Sequence, residues 1–365
     1  MSKAEHTGAI LQIDLAAIVA NWRLLCAMHP SGPVAGVVKA DGYGLGALPI
    51  AQALYAAGCR HFFVALLDEA IAIRAAVPDA MVAVLGGLIP GGERDYVDCD
   101  VVPVLGSPAE IETWSATARA VGRQLPAILH IDTGMSRLGL DQRELAVLQQ
   151  DHAYLGDLEL SYIMTHLVSS EIQDDPLNGL QLQRFDQACA GLPPAHRSML
   201  NSSGMFLGPR FAFDLARPGA ALYGINPTPR ARKNPMALPV RLTARVVAVR
   251  EISKCQTVGY NATWQAPDSR RIATAAIGYA DGLHRSLSNC GRAFFDGSPV
   301  PLVGRVSMDL TTFDVTAVPG IVPGAWLDII GPAQTPDDLA AAAGTNGYEI
   351  LTSLGRRFHR IYKSA

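Results

Sequence analysis

The feature that most constrains the fold is an alternation of short apolar runs with helix-like stretches between residues 34 and 217. The apolar runs are continuous rather than interleaved with polar residues, which is typical of strands covered on both faces in a parallel sheet. Eight such units over roughly 220 residues predict a closed (β/α)8 barrel of the TIM type. The candidate strands are 34–39, 61–66, 81–85, 101–105, 127–132, 158–166, 197–201 and 213–217.

The stretches between these strands have helical patterning and signals for helix starts. Asp68, Asp141 and Ser107, which precedes Pro108, are residue types that commonly cap a helix N-terminus. The predicted helices are 47–57, 68–76, 108–121, 142–150 and 176–190.

The pattern changes after residue 235. The stretch NPTPRARKNP at 226–235 is rich in proline and basic residues, which predicts a linker. Beyond it, strand-like runs follow one another without long helices, which predicts a mostly antiparallel β domain. We therefore assign residues 11–235 to the barrel and 236–365 to the β domain. The predicted elements are strands at 241–252, 271–279, 292–295, 299–315 and 325–330 and helices at 336–343 and 347–354.

Composition argues against several classes of function. The 365 residues carry a formal net charge of −3 without clustered Lys and Arg, so no nucleic-acid partner is expected. The chain has no apolar run of about eighteen residues, so no membrane span is expected. The first residues lack the features of a signal peptide, and the six cysteines are scattered without the spacing of a metal site. A cytoplasmic protein with reduced cysteines and no metal is expected.

Polar residues stand at the ends of the predicted strands, where the active sites of such barrels lie. The first strand ends at Lys39 and leads into a glycine-rich loop that contains Tyr43. Arg137 follows the fifth strand, and His166 ends the sixth. An amine at a barrel mouth, close to other cations and removed from water, has a lowered pKa and is more nucleophilic. Lys39 is therefore the candidate nucleophile.

The last two predicted strands end in residues suited to a phosphate, because small residues with free backbone N–H groups commonly hold phosphate at this place in the fold. A phosphate site, two arginines and an amine on one rim predict pyridoxal 5′-phosphate, bound as a Schiff base to Lys39. A Schiff-base aldolase would also use a lysine, but it would leave the second domain unexplained. The residues concerned are Asn201 and Ser202 after the seventh strand, and Arg217, Gly219 and Ala220 after the eighth.

Seven motifs can be read in order along nearly the whole chain. They are KADGYGLGA at Lys39, DTGMSRLG at Arg137, MTHL at His166, NSSG at 201–204, RPGAALYG at 217–224, VGYNATW at Tyr260 and VGRVSMDLTTFDV at Asp309. Together they resemble the motifs of alanine racemases. This resemblance implies a pyridoxal-phosphate enzyme that interconverts L- and D-alanine, for peptidoglycan or for alanine catabolism. It also implies a homodimer with shared active sites, in which residues 1–10 join the β domain.

The resemblance implies a role for each residue around the cofactor. Lys39 would bind it, and Arg217 would face its pyridine nitrogen. Arg137 would bind either the phenolic oxygen of the cofactor or the substrate carboxylate, since its fork geometry suits both. The other implied contacts are Tyr43, Ser202, Gly219, Ala220 and Tyr362 at the phosphate, with Leu85, His166 and Asn201 elsewhere in the cofactor site.

Racemisation removes the α-proton from one face of the substrate and returns a proton to the other, so it needs two bases on opposite faces. The resemblance implies Lys39 on one face and Tyr260 of the partner subunit on the other, accompanied by Met308 and Asp309. A tyrosine with an ordinary pKa near 10 is a poor base at neutral pH. The family's histidine, here His166, is expected to lie beside this tyrosine and to convey a cationic influence to it.

The chain departs from the family pattern in three places. Many alanine racemases have a carbamylated lysine seven residues before the arginine of the DTGM motif, where this chain has His130. A histidine cannot carry a stable carbamate, so we hypothesise that a bound anion such as chloride, or another polar side chain, supports Arg137. Asn261 stands where glycine is common, and the sequence around Tyr362 differs from the family's usual ending.

Three alternative functions stay open. A racemase acting on serine or larger amino acids differs little in sequence, because one methylene in a pocket is worth only ~1–3 kcal/mol. A basic amino acid decarboxylase of related fold usually places a glutamate at the pyridine nitrogen, rather than an arginine such as Arg217. A non-catalytic carrier of pyridoxal phosphate would share the barrel but lack the β domain that contains Tyr260.

Overall fold

The computed structural model describes residues 6–231 and 233–364. Its first elements are strand β1 (Ala9–Asp14) and helix α1 (Leu15–Met28), which both precede the barrel. Asp14 ends the strand and caps the helix, since its Oδ1 accepts a backbone N–H from the first helical turn at 2.9 Å. Across the described part of the chain, no helix has both the length and the apolar character that crossing a membrane requires.

Seven parallel strands follow one another around the barrel in sequence order, each paired with the next. They are β2 (Gly36–Val37), β3 (His61–Val64), β4 (Met81–Val84), β5 (Val102–Leu105), β6 (Leu125–His130), β7 (Leu158–Met164) and β8 (His196–Ser198). Two single parallel bridges close the ring. Val34 pairs with Ala216, and Ser198 pairs with Leu215. The predicted barrel is confirmed, although its eighth strand is reduced to these two bridged residues.

Helices alternate with the barrel strands, and α6 to α8 match the predicted ranges. The helices are α2 (Lys39–Tyr43), α3 (Ala47–Ala56), α4 (Leu67–Arg74), α5 (Glu93–Asp98), α6 (Pro108–Val121), α7 (Gln142–Gln150) and α8 (Pro176–Ala190). Ser107 and Asp141 cap α6 and α7 as predicted. The prediction that Asp68 caps a helix is wrong, because α4 already begins at Leu67 and Asp68 lies in its first turn.

The second domain is mostly β, as predicted. Its elements are β9 (Val240–Ile252), β10 (Thr257–Val258), β11 (Trp264–Gln265), β12 (Arg270–Ala275), β13 (Arg292–Phe295), β14 (Ser298–Pro301), β15 (Thr311–Asp314), β16 (Trp326–Ile330), α9 (Pro336–Ala343), α10 (Gly347–Thr352) and β17 (His359–Lys363). The single strand predicted at 299–315 is wrong, because a loop in which Gly304 has φ +79° separates β14 from β15. The strand predicted at 271–279 ends early, at Ala275. The sequence patterns do not predict β10, β11 or β17.

Strand β1 belongs to the sheet of the second domain. It lies between β9, to which it is antiparallel, and β17, to which it is parallel. Ala9 and Ile10 lie in this strand, and the expectation for residues 1–5 falls outside the described residues. The same strand continues through residues 11–14, which the sequence pattern assigns to the barrel. Within this part of the strand, Leu11 and Ile13 are fully buried in the core. The remaining domain boundaries stay a prediction.

The glycine-rich loop after β2 docks against the second domain. Arg360 donates from Nη1 to the carbonyl of Gly44 at 2.8 Å, and Tyr362 donates from Oη to the carbonyl of Leu45 at 2.9 Å. Gly44 has φ +80°, and a Cβ at this position would overlap the carbonyl oxygen of Leu351 in α10. Glycine is therefore needed both for the left-handed backbone and for the close approach of α10.

We predict that Gly44→Ala destabilises the protein by ~2–4 kcal/mol, because a left-handed alanine is strained and the new Cβ must displace the backbone of α10. Gly122→Ala is the matched control, since Gly122 has φ +71° but open space where its Cβ would lie. Only the backbone cost of about 1 kcal/mol is expected there. Urea unfolding measures both losses. Equal losses would contradict the tight approach of α10.

Candidate active site

A cavity of about 570 Å³ opens at the carboxyl ends of the barrel strands. The β domain of the same chain contributes Tyr348 and Thr352 of α10 to its wall. The structure brings nine of the predicted site residues together around this cavity. They are Lys39, Tyr43, Leu85, His166, Asn201, Ser202, Arg217, Gly219 and Ala220.

Lys39 begins α2, which is a short left-handed turn rather than a regular right-handed helix. The residues that follow it, Ala40, Asp41 and Tyr43, each have φ +54°, a backbone conformation that non-glycine residues seldom adopt. Strained backbone of this kind clusters at functional sites. The turn places the side chains of both Lys39 and Tyr43 on the cavity wall.

The environment of Lys39 favours a neutral amine. Burial lowers the pKa of Lys39 below its ordinary value, and the positive charge of Arg137 lowers it further. The carboxylate of Glu69 acts on this pKa in the opposite direction. A lowered pKa leaves more of the amine unprotonated at neutral pH, as a nucleophile or a base requires.

Tyr43 is held by packing on two sides. Its ring stacks on Tyr223 with the ring centroids 4.5 Å apart, and Tyr223 donates a hydrogen bond to the carbonyl of Val37 at 2.9 Å. A Cβ at Gly219 would overlap the Tyr43 hydroxyl, so only glycine permits this approach. Burial raises the pKa of Tyr43 to about 12, and its hydroxyl therefore stays protonated and able to donate.

Arg217 is a buried cation without a carboxylate partner among the described residues. It is 5% exposed, and its Nη2 donates to the carbonyl of Thr165 at 2.7 Å while its Nη1 donates to the hydroxyl of Ser198. Burial lowers the pKa of Arg217 to about 10, so it remains charged at neutral pH. Burial and the charge of Arg217 lower the pKa of His166 to about 3, so the imidazole is neutral.

Small residues form another part of the wall. Ser202 Oγ accepts the backbone N–H groups of Gly219 at 3.0 Å and Ala221 at 3.1 Å, which joins the loops after the last two strands of the barrel. Asn201 also lines the cavity, but its Oδ1 accepts the N–H of Gly204 at 2.8 Å. Asn201 therefore shapes the turn that presents Ser202.

Tyr362 does not line the cavity, because its hydroxyl donates to Leu45 in the glycine-rich loop. This corrects the assignment of Tyr362 to the phosphate. Tyr348, which the sequence analysis missed, does line the cavity, and its hydroxyl donates to the carboxylate of Glu171. A usable signal was present in the predicted helix, since Tyr348 and Thr352 are four residues apart and share one of its faces.

Arg137 lies in an adjoining cavity of about 350 Å³, together with His130, Glu110 and Glu144. Burial and the charge of Arg217 lower the pKa of His130 to about 4, so this histidine is neutral at neutral pH. A neutral imidazole cannot supply the negative partner that a carbamylated lysine would provide. The hypothesis of an anion or a polar side chain beside Arg137 stays a prediction.

Three predicted residues lie apart from the cavity, on the surface of the second domain. Tyr260 is 68% exposed and borders a shallow depression together with Tyr279. Met308 is also exposed, and Asp309 forms an ion pair with Arg357 at 2.7 Å. Within one chain the structure therefore does not bring Tyr260, Met308 or Asp309 to the barrel cavity.

The departure at Asn261 has a simple backbone explanation. Asn261 has φ +60°, which lies in the left-handed region. Glycine adopts this region freely, and asparagine is among the few other residues that tolerate it. Asparagine at this position is therefore compatible with the left-handed backbone after Tyr260.

A (β/α)8 barrel with a lysine, a buried arginine and small residues at its strand ends, followed by a β domain, defines a class of enzymes that use pyridoxal phosphate. The chain matches the sequence models of two families, alanine racemase, N-terminal domain, over residues 13–227, and alanine racemase, C-terminal domain, over 239–362. The chain therefore belongs to the alanine racemase family of isomerases, and its cofactor is pyridoxal 5′-phosphate.

Individual relatives agree with this assignment. An alanine racemase of Acidiphilium cryptum is 52% identical over 354 residues, which cover 97% of this chain and 98% of the relative. A protein of Mesorhizobium japonicum named alanine racemase, catabolic, is 47% identical over 361 residues, which cover 97% of this chain and 93% of the relative. The crystal structure of alanine racemase from Bartonella henselae with covalently bound pyridoxal phosphate is 40% identical, with a TM-score of 0.94 over 98% of this chain and 100% of that chain.

The residues around the cavity fit this cofactor. The cavity offers a primary amine at Lys39, whose pKa is lowered, and a buried cation at Arg217 that no carboxylate of the described residues neutralises. Arg137 adds positive charge that reaches Lys39 and His166. The positive charges of Arg217 and Arg137 at the strand ends favour an anionic ligand such as a phosphate ester.

The pH dependence of stability tests the buried state of His130. Its pKa is about 4 in the folded protein against 6.5 ordinarily, so between these values the unfolded chain binds a proton that the folded chain does not. The corresponding stability is present above pH 6.5 and is lost as the pH falls towards 4, by up to ~1.4 kcal/mol per pH unit. We predict that His130→Gln reduces this slope in urea unfolding of the cofactor-free protein.

The matched control is His152→Gln, because His152 is exposed. This substitution should leave the slope as it is in the wild-type protein. If His130→Gln retained the full slope as well, the loss of stability in acid would have to come from other groups.

Proposed function

We propose that this chain interconverts L-alanine and D-alanine by a two-base mechanism, as a homodimer whose active sites each combine two copies. The observation that carries the proposal is the separation of the two candidate bases. Lys39 lies in the barrel cavity, whereas Tyr260 is 68% exposed on the second domain and is absent from the cavity wall. A second copy docked head to tail would bring Tyr260 to the face of the cavity opposite Lys39.

When bound, the cofactor withdraws electrons from the α-carbon of the substrate and makes its α-proton removable. The side chains of this protein hold and orient it. The amine of Lys39 would bind its aldehyde group covalently, and Arg217 would face its pyridine nitrogen. A guanidinium group does not give up its proton, so Arg217 leaves that nitrogen unprotonated and limits the withdrawal of electrons. Arg137 would bind the phenolic oxygen or the substrate carboxylate.

The phosphate is assigned to the part of the cavity lined by small residues and tyrosines. Tyr348 replaces Tyr362 in this assignment, because it lines the cavity and Tyr362 does not. Leu85 and His166 form walls of the cofactor site, and Asn201 supports the turn before Ser202. The proposed phosphate contacts are Tyr43, Ser202, Gly219, Ala220 and Tyr348.

The two bases move protons at the α-carbon from opposite faces. The lowered pKa of Lys39 makes the amine on one face easier to deprotonate. Tyr260 of the second copy would serve the other face, with the neutral His166 and the positive charge of Arg217 beside it. Met308 and Asp309 would accompany Tyr260 from the second copy, on the substrate side.

We propose that the reaction takes place in the cytoplasm, where it supplies D-alanine for peptidoglycan or serves the breakdown of alanine. The relative from Mesorhizobium japonicum carries the name of a catabolic enzyme, which is consistent with the second role. A panel of amino acids scored for optical rotation tests the substrate range. Equal turnover of serine or larger amino acids would indicate a broader racemase, and release of carbon dioxide from lysine would indicate a decarboxylase.

We predict that Lys39→Ala abolishes the absorbance of the covalently bound cofactor and lowers kcat by at least roughly 10²–10⁴-fold, because both the attachment point and one base are removed. Absorbance spectra and racemisation rates measure the two effects. Lys254→Ala, at an exposed lysine of the second domain, should leave both unchanged. Wild-type activity in Lys39→Ala would defeat the assignment of Lys39.

We predict that Tyr260→Phe slows α-proton exchange from one enantiomer of alanine far more than from the other, because only one face loses its base. Exchange in heavy water, followed for each enantiomer, measures this asymmetry. A small and equal effect on both enantiomers would contradict the two-base scheme.

Mixed dimers test whether Tyr260 acts in the partner's site. Lys39→Ala and Tyr260→Phe chains should each be nearly inactive, but a hybrid dimer has one site in which both bases are intact. An equal mixture should therefore regain about a quarter of wild-type activity after subunit exchange, since about half of the dimers are hybrids and one of their two sites works. If mixing restored nothing, the two bases would not meet across an interface.

A further inference from the structure

Glu69 makes an unusual set of contacts close to Lys39. It is the third residue of α4, and its Oε2 accepts the backbone N–H groups of Ala65 at 2.8 Å and Leu66 at 3.2 Å, at the start of its own helix. Its Oε1 accepts the N–H of Ala40 at 2.6 Å, across to the loop after the preceding strand. One carboxylate therefore joins two neighbouring strand-end loops of the barrel.

The N–H that Glu69 accepts belongs to the first residue of the left-handed turn. Ala40 has φ +54° and ψ +48°, and the strain continues through Asp41 and Tyr43. A chain segment in this conformation persists only where its surroundings impose it. A hydrogen bond to a charged acceptor is the stronger kind, so Glu69 is suited to hold the turn in place.

We infer that Glu69 is a positioning residue for the cofactor site, which holds the left-handed turn so that the amine of Lys39 and the hydroxyl of Tyr43 face the cavity. This inference rests on the proposed function, in which Lys39 binds the cofactor. Glu69 itself does not line the cavity, so it acts through Lys39 and Tyr43 rather than on the substrate.

Glu69 also acts on Lys39 through its charge. The charged groups that shift the pKa of Lys39 are Arg137, which lowers it, and Glu69, which raises it. His166 also faces this group and is neutral at neutral pH. If the carboxylate is neutralised, burial and Arg137 remain unopposed, and the pKa of Lys39 falls further. A purely structural brace would have no such effect.

The chain contains a matched arrangement at Glu110. Glu110 is the third residue of α6. Its Oε2 accepts hydrogen bonds from the N–H of Gly106 at 2.8 Å and from the hydroxyl of Ser107 at 3.1 Å. Its Oε1 accepts the N–H of Leu88 at 2.9 Å. It therefore also joins its own loop to the loop after the preceding strand. None of its contacts is Lys39 or a non-glycine residue in the left-handed region, so Glu110 provides the control for a loop brace alone.

The experiment titrates pyridoxal 5′-phosphate into cofactor-free wild-type, Glu69→Gln, Glu110→Gln and Lys39→Ala proteins and follows the absorbance of the covalently bound cofactor. Glutamine retains the size of the side chain but turns an amide N–H group towards a backbone N–H at one of the two loops. We expect Glu69→Gln to raise the dissociation constant roughly ten- to a hundredfold, as the loss of a hydrogen bond to a charged group implies. Glu69→Gln and Glu110→Gln should lower the melting temperature by similar amounts. Glu110→Gln should nevertheless leave the dissociation constant within about threefold of wild type.

The second readout is the pH dependence of the rate of covalent attachment. In Glu69→Gln the profile should shift to lower pH, because the amine loses its proton more readily, while Glu110→Gln should retain the wild-type profile. Glu69→Asp keeps the charge but shortens the reach, so it should weaken binding with a smaller shift of the profile.

The outcomes separate the inference from the proposed function. If Lys39→Ala still bound the cofactor covalently, the proposed function would fail. If Lys39→Ala lost binding but Glu69→Gln and Glu110→Gln behaved alike in both readouts, only the role of Glu69 would fail. The inference would also be overturned if Glu69→Gln and Glu69→Asp did not fold while Glu110→Gln did, since Glu69 would then serve the fold as a whole.

Discussion

The active site depends on a left-handed turn that the barrel and the β domain hold together. Its non-glycine residues take φ +54°, which L-amino acids adopt only where the surroundings impose it. On the barrel side Glu69 accepts the first N–H of the turn, and on the other side Arg360 of β17 donates to the carbonyl of Gly44 at its end. Lys39 is thereby held in a defined place even though it belongs to a connection between elements.

Positive charge without a matching carboxylate is the second feature of the site. Arg217 is buried and bonds only to a hydroxyl and a carbonyl among its described contacts, and its field contributes to lowering the pKa of both His130 and His166. Burying a cation without a carboxylate partner costs free energy. An anionic cofactor beside Arg217 would offset this cost, so its binding would also stabilise the fold.

The β domain presents candidate functional residues in two places. Through α10 it contributes Tyr348 to the cavity of its own chain, and through Tyr260 it presents a phenol to the outside. Strand β1 joins the two domains, since it pairs with β9 and β17 before Asp14 turns the chain into α1. Because β1 leads directly from this sheet into α1, it helps to set the distance between the cavity and the exposed tyrosine, which a symmetric dimer would need to be constant.

The sequence by itself determined the barrel, the β domain and eight residues of the cavity, because hydrophobic periodicity and strand ends are local properties and parallel strands present their carboxyl ends together. The ninth residue, Leu85, was implied only by the family resemblance. The sequence did not determine which C-terminal tyrosine reaches the cavity. That choice between Tyr348 and Tyr362 depends on how α10 and β17 pack against the glycine-rich loop, through contacts such as that between Tyr362 and Leu45, 317 residues apart. Contacts over such separations leave no periodic signal in the chain, so only the tertiary structure decided them.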